Sequence, residues 1–122
     1  MAIDVRWREG ERLVRWSWGD VAVEMTFPAP PASVTAWADP PSVIVVERAD
    51  RLDNAVVFEP DGTERLRLRP PAVSPERHWD VGFYVVYAGS DGLVAVFSTR
   101  VGDFWGRPDL LTGELSSVAQ WR

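Results

Sequence analysis

Asn54-Ala55-Val56-Val57-Phe58-Glu59-Pro60-Asp61-Gly62-Thr63-Glu64-Arg65-Leu66-Arg67-Leu68-Arg69 decides the fold class. Ala55 to Phe58 is apolar, β-branched and aromatic, which suits a pleated and half-buried surface. Pro60-Asp61-Gly62 punctuates it. Pro60 presets φ, Asp61 bonds nearby backbone, and Gly62 takes the left-handed conformation that ends a type I turn with a bulge. The return strand alternates, with Leu66 and Leu68 on one face and Arg65, Arg67 and Arg69 on the other. In this register Val56 and Phe58 share the buried face with Leu66 and Leu68, and Glu59 lies near Arg65. Pro70-Pro71 ends the strand, because proline cannot donate to a ladder.

Upstream, the same alternation recurs three times. Ile3 to Arg8, Glu11 to Trp18 and Val21 to Phe27 read as a three-stranded meander, with tight turns at Glu9-Gly10 and Gly19-Asp20. Trp16 and Trp18 share a strand face, and Trp7 lies opposite them. Pro28 to Pro41 interrupts the pattern. Its five prolines argue against regular structure, leaving Ala32 to Ala38 room for one short helical turn. This segment is expected to cross over and cover a sheet edge, with Trp37 plugged into the core. Ser42 to Arg48 is a continuous apolar run and reads as a strand buried on both faces.

Downstream of the hairpin, Pro70 to Asp80 reads as a second irregular loop. Val81 to Ala88 and Leu93 to Arg100 flank a turn at Gly89-Ser90-Asp91-Gly92. Gly102 to Asp109 reads as irregular, with Asp109 capping one turn that Gly113 leaves. Glu114 to Trp121 reads as a last strand. The expectation is an all-β single domain spanning residues 1–122, with about nine short, mostly antiparallel strands. They form a sandwich or a partly closed barrel, with hairpin neighbours favouring an up-and-down order. The Asp-Gly and Thr-Gly turns resemble those of propeller or YD-type hairpins, but they do not recur as a blade-length repeat. One blade cannot close a propeller, so no family is adopted.

Composition excludes several chemistries. The 122 residues carry 13 basic and 18 acidic side chains, a net charge of −5. That charge argues against nucleic acid and anionic membranes as partners. The arginine stripe therefore reads as a solvated face balanced by Glu59, Asp61 and Glu64. Every basic residue is arginine, which rules out a Schiff-base or P-loop lysine and fits a high-GC bacterial genome. Cysteine is absent, so disulfides, thiolate nucleophiles and thiolate metal sites are absent too. With one histidine, an ordinary zinc site is not expected, and Asp103, Asp109 and Glu114 match no calcium loop. No cofactor is expected. No apolar run reaches the ~18 residues of a membrane span. The start of the chain is charged and unlike a signal peptide, so the expected location is the cytoplasm.

The compositional oddity is seven tryptophans. Tryptophan joins a large apolar surface to one N–H donor and is enriched at binding sites. The leading reading is a non-enzymatic interaction module that holds a protein partner through Trp-bearing loops, or else self-associates. Candidate contact residues are Trp16, Trp18, Trp37, His78, Trp79, Phe104 and Trp105. The alternative is a β-barrel that takes a small apolar or aromatic ligand between Trp7, Trp16, Trp18 and Tyr84. A hydrolase or isomerase built on His78, beside Ser74 and Asp80, ranks third.

Overall fold

The computed structural model describes residues 2–49, 51–71 and 80–121. Within them lie eleven strands and no helix: β1 Asp4–Arg6, β2 Leu13–Trp18, β3 Val21–Thr26, β4 Ser33–Ala38, β5 Pro41–Val46, β6 Ala55–Phe58, β7 Glu64–Arg67, β8 Asp80–Gly89, β9 Gly92–Thr99, β10 Gly102–Pro108 and β11 Leu115–Gln120. Every pairing joins neighbours in the chain, and every one is antiparallel. The strands make three meanders: β1 to β3, β4 to β7 and β8 to β11. They do not close into a barrel.

The three sheets stack face to face, and the middle one is buried on both sides. Val43, Val45, Val56 and Phe58 pack against Val14, Trp16, Val23 and Phe27 of the N-terminal sheet. Ile44, Val46, Ala55, Val57 and Leu68 pack against Phe83, Val86, Leu93, Ala95 and Phe97 of the C-terminal sheet. The unbroken apolar run of β5 follows from this sandwiched position, since successive side chains must suit opposite cores.

Three expectations need correction. Ser33 to Ala38 is a strand, not a crossover with a helical turn. Its prolines sit where strands tolerate them: Pro28 to Pro31 lie before it, Pro40 in the turn, and Pro41 at the first position of β5. Gly102 to Pro108 is a strand as well, so eleven strands replace nine. The hairpin register also shifts. Leu66 faces Val57, and Val56 faces Arg67, because the ladder slips between Val57 and Phe58. Gly62 at φ 93° closes this turn, and its amide donates to the Glu59 carbonyl at 2.9 Å. Since β6 is apolar on both faces, alternation alone does not reveal the slip.

The C-terminal sheet is fastened to the middle sheet along the free edge of β8. The buried Asn54 amide donates to the Phe83 carbonyl at 2.7 Å, and its Oδ1 accepts the Phe83 N–H at 2.7 Å. Its amide nitrogen also donates to the Glu47 carbonyl at 2.9 Å. Three residues further on, Thr35 Oγ1 donates to the Val86 carbonyl at 2.7 Å, and the Val86 N–H donates to Ser33 Oγ at 3.3 Å. Three polar side chains thus supply the ladder that a neighbouring strand would supply. Gly82 makes the approach possible. It sits at φ 121°, and a Cβ there would lie 2.7 Å from the Arg51 carbonyl oxygen.

Asn54→Ala strands a buried N–H and C=O of Phe83. It is expected to cost on the order of 3 kcal/mol in urea unfolding. A loss below about 1 kcal/mol, that of an ordinary exposed hydrogen bond, would refute this role.

Candidate functional site

The arginines of β7 are structural. Arg65 is half-buried and bidentate with Glu59, at 2.8 Å to each oxygen, and it also donates to Ser42 Oγ and the Pro41 carbonyl. Arg67 pairs with Glu47 at 2.9 Å and more distantly with Glu64. The balancing acids are therefore Glu47, Glu59 and Glu64. Asp61 instead accepts the Thr63 N–H within its turn. Hydrogen bonding from Arg65 holds the Glu59 carboxyl below the usual carboxylate range, and Arg51 does the same for Asp53. A lowered folded-state pKa stabilises the fold above the ordinary value, and that contribution fades as pH falls through the folded one. Urea midpoints should therefore decline below a pH of about 4. Glu59→Gln should make the decline shallower, and an identical decline in the variant would refute the assignment.

The sequence-nominated aromatics divide among different places. Trp16 is buried between the N-terminal and middle sheets, where its indole N–H donates to the Pro60 carbonyl at 2.8 Å and its ring meets Phe58 at 5.9 Å. Trp18 lies one step along the same face and is half-buried. Its Nε1 has no hydrogen-bond partner among the described residues. Trp7 packs beside them, with its N–H on the Glu11 carbonyl. Trp7 and Trp16 thus belong to the core between the two sheets, and Trp16 also floors a shallow depression of about 280 Å³ beside Arg15 and Glu24. Phe104 stacks on Phe97 at 5.9 Å, inside the core between the middle and C-terminal sheets. Trp37 also packs against that core and lines one side of an open cleft of about 360 Å³ with Asp39, Arg107, Asp109 and Leu111. His78 and Trp79 lie outside the described residues. Tyr84 is 40% exposed at the point where β8 slips against β9, so it lines no barrel interior.

Trp105 stands on the outward face of the C-terminal sheet, and there the structure brings it three companions. Phe83, Val86, Leu93, Ala95, Phe97 and Phe104 point inward. Val85, Val94, Val96 and Trp105 take the opposite face by register. Tyr87, paired with Val94, joins them from the free edge of β8. Trp121, whose N–H donates to the Asp103 carbonyl, joins from the end of β11. Tyr87 and Trp121 meet edge to face at 6.4 Å, so the two rings lie across the intervening strands. The Arg107 guanidinium sits 5.2 Å from the centre of the Trp105 ring and donates to the Leu93 carbonyl at 3.1 Å. Val94 and Val96 on this face are buried, while Tyr87, Trp105, Arg107 and Trp121 are half-exposed.

The slip between Phe83 and Val85 creates this face. Plain alternation would send Phe83, Val85 and Tyr87 to one side. The extra residue keeps Phe83 and Val86 inward and turns Val85 and Tyr87 outward. No residue in the sequence announces it, so Tyr87, Arg107 and Trp121 carry no local mark of a shared site.

Among the described residues, no three His, Cys, Asp or Glu side chains gather where a metal ion could bind. No helix among them is long and apolar enough to cross a membrane. Comparison with family models, with curated proteins and with solved structures gave no match.

Proposed function

We propose that the protein is a non-enzymatic interaction module whose recognition surface is the outward face of the C-terminal sheet. The supporting observation is the half-exposed cluster of Tyr87, Trp105, Trp121 and Arg107 on a face against which no other sheet of the described residues packs. Tyrosine, tryptophan and arginine are the residues that dominate binding energy at protein interfaces. They bring large rigid surfaces at small entropic cost, and each keeps a polar end for the rim. The recognition surface is thus a strand face, where the sequence suggested irregular loops. The lack of cysteine and lysine fits a reducing bacterial cytoplasm as the setting.

The experiment is affinity isolation of the tagged protein from its host cells, beside a Trp105→Arg variant whose melting temperature is unchanged. The unsubstituted protein should retain a stoichiometric polypeptide, a second copy included, and the variant should lose it. Retention by both, or by neither, would overturn the reading.

A further inference from the structure

The two ends of the stack differ in chemistry. The outward face of the N-terminal sheet carries Asp4, Arg6, Arg15, Ser17 and Glu24, with Arg6 and Asp4 paired at 3.5 Å. That is a finished surface, of the polar kind that closes a layered array. The outward face of the C-terminal sheet is aromatic at its centre and carries charge at two positions of β10, Asp103 and Arg107. Both side chains share the face of Trp105, which lies midway between them. Neither has an ion-pair partner among the described residues.

Asp103-x-Trp105-x-Arg107 is complementary to its own reverse. A two-fold axis through Trp105, crossing the strands, sets Asp103 of each copy against Arg107 of the other and places the two indoles together. An isologous contact needs this self-complementarity. Resting on the recognition face proposed above, we infer that its occupant is a second copy of this chain, packed sheet on sheet with β10 antiparallel to its counterpart. Aligned sheets pack about 10 Å apart, a gap that opposed indoles and an Asp–Arg pair span. Four strands about 4.8 Å apart, each contributing roughly 20 Å of length, give a footprint of about 400 Å² per copy, half that of a standard interface, so the contact is a weak and reversible one. A contact of that size predicts a dimer that dissociates in the micromolar range.

The test is sedimentation velocity over a concentration series. The unsubstituted chain should form dimers by about 100 µM, well above a micromolar dissociation constant. Asp103→Arg and Arg107→Asp should each weaken the dimer by roughly tenfold or more. Mixing the two variants should restore it, because each copy then offers two like charges to two opposite ones. Trp105→Ala should also weaken it, and thermal melting checks that every variant is folded. A monomeric unsubstituted chain, a dimer indifferent to Trp105→Ala, or a mixture no tighter than the separate variants would overturn the inference. If the chain is monomeric yet holds a different polypeptide that Trp105→Arg releases, self-association falls and the recognition face stands.

Discussion

The edge of β8 is where this architecture is made or lost. A free edge strand presents unpaired N–H and C=O groups, and inside a protein those groups must find partners. Here the partners are side chains of the middle sheet. Asn54 engages both the N–H and the C=O of Phe83, while Ser33 and Thr35 engage Val86. Hydrophobic contact between two sheets is non-directional and would allow them to slide. These hydrogen bonds are directional, so they set the position of the C-terminal sheet against the middle one. The same anchoring holds the slip at Phe83 and Val85 that turns Tyr87 outward.

The middle sheet is the other constraint. Its β5 and β6 strands belong to two cores at once, so neither can shift by one residue without exchanging the side chains of both. The outer sheets each pack one face on the middle sheet, and no other sheet of the described residues packs on the opposite face. The N-terminal sheet resolves that with charge. The C-terminal sheet carries half-exposed aromatic rings on the same face as the buried Val94 and Val96, an amphipathic surface rather than a charged one. Three meanders follow one another in this stack, with β1 beside β4 and β4 beside β8. The architecture repeats even though the sequence shows no repeat, because the hydrogen-bond pattern of a meander needs alternation and turns, not particular residues.

Much of the strand pattern was legible. The first meander, the doubly buried β5, the hairpin at Pro60 to Gly62, and the Asp109 turn closed by Gly113 at φ 83° all follow from local chemistry. The strands that were missed had local reasons to be missed. Proline brackets β4, and glycine punctuates β10 at Gly102 and Gly106, so both segments carry the composition of loops. The site was far less legible. Tryptophan count pointed to recognition, yet Trp16 is spent on the core between two sheets. The face that assembled Trp105 with Tyr87 and Trp121 draws on three strands.

Sequence alone determined that this chain is all-β and antiparallel with several tight hairpin turns, because alternation and turn chemistry act over a few residues. It also determined the chemistries that are missing, through the absence of lysine and cysteine. Tertiary structure decided which face of each strand is buried, since a single slipped residue reverses every side chain beyond it. It also decided which aromatic rings remain at the surface, since a ring in one strand is hidden or displayed by the sheet that does or does not pack above it.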